Sequence, residues 1–200
     1  AYAKHYTLLS TTAQQLFQFS IKVYSTDQTS CQLIKLISFL IENDHVWEMV
    51  RGEFGGFLQK IIFPQFIIAD DVLTLSSEEP SLFISEVKKF SNSFQDPAVA
   101  SGNVLISCLQ RDPSQASTIL EFCNETFESS TSNESNIFAA FRMIAFIPNQ
   151  LYNALGDEFM EFLVHSYNML NSTSILMRIC PLLISSELTA ALIPKDLIAA

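Results

Sequence analysis

Positive charge, glycine and every strand signal are scarce in this chain of 200 residues. Lys and Arg number 11 against 21 Asp and Glu, for a net charge of −10. The longest basic run is Lys88-Lys89, whereas a grip on DNA or RNA phosphates needs clustered Lys and Arg, so no direct nucleic-acid partner is expected. Alternating apolar and polar runs are missing, and so are hairpin dipeptides such as Asn-Gly, which argues against any sheet. No apolar run approaches the roughly 18 residues that a membrane span requires, and no secretory signal precedes Tyr2. No membrane insertion is expected, and the expected setting is cytosol or nucleus.

The signatures of catalysis are equally thin. His5, His45 and His165 are isolated, without H-x-x-x-H or H-E-x-x-H spacing, so no metal is expected. Arg51-Gly52-Glu53-Phe54-Gly55-Gly56 is glycine-rich but lacks the Gly-Lys-Ser/Thr ending that grips phosphates, and reads as a helix start. No G-x-S-x-G marks a nucleophile elbow. Cys31, Cys108, Cys123 and Cys180 stand far apart with no C-x-x-C pair, and read as small core residues rather than disulfides or metal ligands. Three glycosylation patterns, at Asn124, Asn133 and Asn171, read as chance matches, since Asn124 falls inside a helical pattern. The chain is expected to be no enzyme and to carry no cofactor.

What is abundant is apolar surface at helical spacing. Apolar residues make up 48% of the chain, 17 of them Phe, and mean hydropathy is +0.26. Such a chain needs helices covered on more than one face. Ala1 stands where a complete chain would have Met, so a fragment of a longer array is expected.

Leu9, Ala13, Phe17 and Ile21 recur every fourth residue over 6–24, up to a break at Ser25-Thr26-Asp27. Ser30 is read as the N-cap of a helix to Asn43, with Leu33, Ile34, Ile37, Leu40 and Ile41 as a broad stripe, and His45-Val46-Trp47-Glu48 as a further turn. Phe54, Phe57, Leu58, Ile61 and Ile62 follow i, i+3, i+4, i+7, i+8, until Pro64 kinks or stops the helix. Ala69 to Glu79 shows no sustained period and is read as an acidic loop. After Pro80, the residues Phe83, Val87, Phe90 and Phe94 make the next face.

Asp96-Pro97 and Asp112-Pro113 repeat one device, an N-cap carboxylate followed by proline at the first helical position. The first helix carries Ala100, Val104, Leu105 and Cys108, with Gly102 inside it. The second carries Ala116, Ile119, Leu120, Cys123 and Phe127. The polar run Ser129–Ser135 is a linker. Ile137, Ala140, Phe141 and Ile144 follow, closed by Pro148-Asn149. Asp157 is read as capping a helix with Phe159, Leu163, Tyr167 and Leu170. Thr173 precedes one with Leu176, Ile179 and Leu183, interrupted by Pro181.

Starts near 30 and 54, 97 and 113, then 135 and 157 pair into helix hairpins with repeats of about 40 residues, the range of HEAT-type arrays. The expected fold is all-α: an α-solenoid of antiparallel hairpins, about four repeats over 1–200, with the acidic linker 69–79 inserted. Stacking would bury faces too large for one hairpin. Asp70, Asp71, Glu78 and Glu79 have three readings: paired acids for proton transfer, a docking site for a basic partner, or solvated loop charge. Trp47 and the Phe residues read most simply as core, with a docking groove between adjacent helices as the sharper alternative.

Ile62-Phe63-Pro64, the acidic stretch, and Glu78-Glu79-Pro80-Ser81-Leu82-Phe83-Ile84 form an ordered series. It resembles the importin-β superfamily of nuclear transport receptors, in the branch of importin seven and importin eight. There a hydrophobic-Pro step ends a helix, an acidic loop follows, and an acidic-acidic-Pro-x-x-aromatic-Ile/Val motif opens the next segment. The likeness runs on through Phe94-Gln95-Asp96, Ala100 to Leu109, Phe122-Cys123, Ala140-Phe141-Arg142-Met143-Ile144 and Met177-Arg178-Ile179-Cys180. Ser85 stands where the family usually has arginine, and Leu75-Ser76-Ser77 where it has an aromatic, which marks a divergent member. The resemblance implies a central segment of a right-handed superhelical array that binds protein cargo and shuttles between cytoplasm and nucleus. Ran GTPase and nucleoporins would bind through the full-length receptor. A HEAT scaffold of another kind is the alternative: a trafficking coat, or a phosphatase or kinase regulatory subunit.

Overall fold

The computed structural model describes residues 27–92, 96–129 and 133–188, and every regular element among them is helical. The expected helix over 6–24 with its break at 25–26, His5, Phe94 and 130–132 of the 129–135 run lie outside the described residues. Eleven helices follow in order: α1 Asp27–Ile41, α2 Asp44–Gly52, α3 Phe54–Phe57, α4 Asp70–Glu78, α5 Pro80–Asn92, α6 Pro97–Arg111, α7 Gln115–Glu128, α8 Glu134–Ala145, α9 Pro148–Leu155, α10 Asp157–Ser166 and α11 Ile175–Glu187. The described residues fall into two compact units. Those up to Phe66 join Lys88–Gln115, and Ile67–Val87 joins the residues from Ala116 onward.

In the first unit the most extensive packing joins α1 to α6, which are not neighbours in sequence. The physical reason lies in their faces. Cys31, Ile34, Ile37, Leu40 and Ile41 make α1's buried stripe, and α6 buries Ala98, Ala100, Ser101, Gly102, Val104, Leu105, Cys108 and Leu109. Small residues along α6 let a partner backbone approach closely. Asp96 Oδ1 accepts from the Ala98 N–H at 2.8 Å, with Pro97 opening the helix as expected. Helix α1 starts at Asp27, so Ser30 lies inside it rather than at its cap. Asn43, expected to end α1, instead caps α2 by accepting from the His45 N–H at 3.1 Å.

Pro64 neither stops nor simply kinks its helix. After α3 the chain widens into a π-turn over Leu58–Ile62 and tightens into a 3-10 turn over Phe63–Phe66. Proline has no N–H to offer the carbonyl a turn earlier, and shifting the pairing on both sides carries the chain past it. The Gln65 side chain donates to Ile61 O at 3.2 Å. This path buries Ile61, Ile62, Phe63 and Phe66.

Arg111 ties three parts of this unit together. Its guanidinium donates to Ile41 O, an open carbonyl at the end of α1, at 2.5 Å, pairs with Asp44, and lies 5.6 Å from the Trp47 ring centroid. Beside it, Arg51 pairs with Asp112 at 2.8 Å. Asp112 Oδ1 accepts from the Ser114 hydroxyl at 2.6 Å and the Ser114 N–H at 3.1 Å. Hydrogen bonds from Ser114 and Gln115 hold the Asp112 carboxyl below its ordinary value. Regular helix α7 begins only at Gln115, one turn beyond the expected Pro113 start.

In the second unit α8 packs chiefly on α11. Seven consecutive residues of α8, Phe138 to Ile144, are buried, so this helix is covered on all sides. The starts of α8 and α11 meet: Ser174, the N-cap of α11, donates to Glu134 Oε2 at 2.7 Å. Phe83 of α5 lies 5.7 Å from Phe138, and Phe141 stands 5.8 Å from Phe127 and 5.6 Å from Phe162.

Several expected boundaries move in this unit. Pro148 opens α9 rather than closing α8. Gly156, at φ 56°, joins α9 to α10 where an L side chain would be strained. Asp157 is therefore the first residue of α10 instead of its cap, with its charge at the positive helix end. Helix α10 stops at Ser166 and tightens into a 3-10 turn, which puts Met169 inside and leaves Leu170 exposed, against the expected face. Ser174 caps α11, which continues through Pro181.

Two substitutions should move stability in opposite directions. Arg111→Met removes a charged hydrogen bond and a cation–π contact, while its pair with the almost wholly exposed Asp44 adds little. Urea unfolding is expected to show a loss of about 1–2 kcal/mol. The Ser101 hydroxyl is buried without a hydrogen-bond partner. Ser101→Ala is expected to raise the urea midpoint, by about 1 kcal/mol in stability.

Candidate functional site

The stretch expected to be an acidic loop folds as helix α4, which overturns the loop reading of 69–79. Val72, Leu73, Leu75 and Ser76 are half-buried, a shallow face that period counting overlooks because none is fully covered. Asp70 and Asp71 sit in the first turn, where carboxylates oppose the positive end of the helix dipole. Asp71 Oδ1 accepts from the Val72 N–H at 2.9 Å. Thr74 Oγ donates to Asp70 O at 2.8 Å, and Ser77 Oγ to Thr74 O at 3.0 Å.

Asp70, Asp71, Glu78 and Glu79 are all exposed, and α4 buries no residue. The helix separates them into two pairs. Asp70 and Asp71 stand at its start, Glu78 and Glu79 at its end, and eight residues at 1.5 Å each put about 12 Å between them along the axis. Neighbours i and i+1 on a helix do not face each other. That geometry gives no paired-acid centre for proton transfer. It leaves a charged, solvent-facing helix with no basic residue in its last turn.

A second feature lies in the first unit. Lys35, Ser38 and Phe39 of α1, with Glu42 just beyond its end, face Val99, Ala100 and Asn103 of α6 across an open groove of about 260 Å³. Phe39 is 69% exposed, unlike the buried aromatics around it. Phe39 thus departs from the expectation that the Phe residues are core. Its signal was an aromatic at the i+4 place of an otherwise polar i, i+3, i+4, i+7 face.

The cysteines belong to the core. Cys31, Cys108, Cys123 and Cys180 are all buried. Burial pushes the Cys108 thiol up to about 12, against a smaller downward pull from Arg111. It pushes Cys123 and Cys180 well above the ordinary thiol range. Cys123 Sγ lies 3.9 Å from Ala140 O and Cys180 Sγ 3.4 Å from Leu176 O. His165 packs edge-on against Phe127, with ring centroids 5.5 Å apart. Asn124 lies in the last turns of α7, and Asn133 uses its side chain to cap α8, accepting from the Asn136 N–H at 2.8 Å. Among the described residues no group of three His, Cys, Asp or Glu is placed to hold a metal, and no helix is long and apolar enough to cross a membrane.

The chain matches no protein-family model, no curated protein and no solved structure.

The thiols provide a direct check on this core. Because only the thiolate reacts, Cys108, Cys123 and Cys180 are expected to resist a soluble disulfide reagent at pH 8 in the folded protein. All three should react within the mixing time in denaturant. Labelling of any of them well before the loss of circular dichroism would contradict their placement.

Proposed function

We propose that this chain is a central HEAT-type segment of a nuclear transport receptor of the importin-β superfamily, which binds protein cargo without catalysis. The observation that carries the reading is where the resembling series falls. Ile62-Phe63-Pro64 lies where a helical path ends at Phe66, and Glu79-Pro80 lies where α4 gives way to α5. Those are the places such a series occupies in the family. An exposed acidic helix stands between them, in place of the family's acidic loop. The all-helical architecture of the described residues supports the reading at the level of fold class. Contacts with Ran and nucleoporins belong, on this reading, to the full-length receptor that shuttles between cytoplasm and nucleus.

Asp70, Asp71, Glu78 and Glu79 are the proposed contacts for a basic cargo segment. Four exposed carboxylates on a chain of net charge −10 attract such a segment over long range. Salt weakens the attraction as the Debye length shrinks from about 10 Å at 0.1 M to about 3 Å at 1 M.

The full-length receptor with all four residues changed to Ser should bind a basic cargo about fivefold more slowly at low salt, with a shallower salt dependence. Unchanged rate and slope would place the cargo surface elsewhere. Capture of Ran locked with GTP, in preference to Ran with GDP, is expected of the full-length receptor. Equal failure with both would favour a scaffold outside nuclear transport.

A further inference from the structure

We infer that Ser76 and Ser77 form a phosphoacceptor pair for an acid-directed serine/threonine kinase, and that their phosphorylation unwinds α4. The inference does not depend on the cargo reading. Three observations come together here. First, the pair is followed directly by Glu78 and Glu79, so carboxylates stand at the next one to three positions, where a kinase with a basic substrate groove reads charge. Second, Ser77, Glu78 and Glu79 are exposed and Ser76 is half-buried. Third, α4 has nine residues and buries none of them. A helix this short, with only a half-buried face, is marginal. The extended backbone that a kinase needs is therefore reached by a local opening that leaves the core intact.

The chemistry of the modified state follows from the present hydrogen bonds. In phosphoryl transfer the seryl Oγ attacks the γ-phosphorus of Mg-ATP. The new O–P bond forms as the β–γ bridging bond breaks, ADP leaves, and the hydroxyl proton passes to the kinase's general base. Ser77 Oγ now donates to Thr74 O at 3.0 Å. A phosphorylated Oγ has no proton to give, so that bond is lost and oxygen faces oxygen. Each phosphate brings a charge of about −1.5 to −2 to the negative end of a helix dipole, beside two glutamates. No basic residue in the last turn offsets it. Position decides the outcome: a phosphate placed among Asp70 and Asp71 in the first turn would meet the opposite dipole and strengthen the helix.

The test uses the 200-residue chain with Mg-ATP and either an acid-directed or a base-directed serine/threonine kinase. Sites are mapped by mass spectrometry and amide exchange is followed by peptide. Expected are phosphate on Ser76 or Ser77 with the acid-directed enzyme alone, none there in the Ser76→Ala, Ser77→Ala variant, and exchange across 70–78 accelerated about tenfold, the order that summed dipole and like-charge repulsion gives. Exchange in α8 should stay unchanged. Phosphate at other sites only, or no phosphate at all, overturns the site. Phosphate on the pair with unchanged exchange across α4 overturns the switch.

Discussion

Helices of four to fifteen residues are marginal in water, so the packed elements here depend on burying an apolar face against a partner. In each unit one helix takes the central place. Helix α6 does so with small residues, Ala98, Ala100, Ser101 and Gly102, ahead of Val104, Leu105 and Cys108. Helix α8 does so with bulk, presenting Phe138, Phe141, Met143 and Ile144 to neighbours on all sides. The first solution lets backbones come close and leaves the Ser101 hydroxyl unsatisfied. The second builds an aromatic cluster in which Phe141 touches both Phe127 and Phe162.

The polar connections follow from that packing. Once α1 lies along α6, the open carbonyl at Ile41 comes within reach of Arg111, and the same guanidinium covers Trp47. In the other unit the joined starts of α8 and α11 let one serine cap a helix and bond Glu134 together. These contacts fix ends and angles, while the apolar faces supply the stabilisation. The cysteines belong to the same core. Burial favours the neutral thiol at Cys108, Cys123 and Cys180.

What the core does not use is where function can reside. Helix α4 stands at the opposite extreme from α8, with nothing fully buried and four carboxylates at its ends. Its low local stability and its charge both fit a surface that meets other molecules and responds to modification. The α1–α6 groove forms a concavity with exposed Phe39 at its wall.

The sequence by itself determined that the described chain is helical, where α6 starts, and which residues of α1, α6 and α7 turn inward. Those features are local: an Asp-Pro cap acts within one turn, and a stripe at 3.6-residue spacing belongs to one helix whatever it meets. The resemblance also rested on sequence alone, and remains a matter of ordered residues rather than of shape. Only the tertiary structure decided that 70–78 is a helix, because its half-buried face needs a neighbour, α11 among them, to become a face at all. It also decided that the chain passes Pro64 through a π-turn, that Leu170 turns outward, and that α1 seeks α6 across four intervening helices. Pairing depends on the fit of two surfaces distant along the chain, and no period within either one records it.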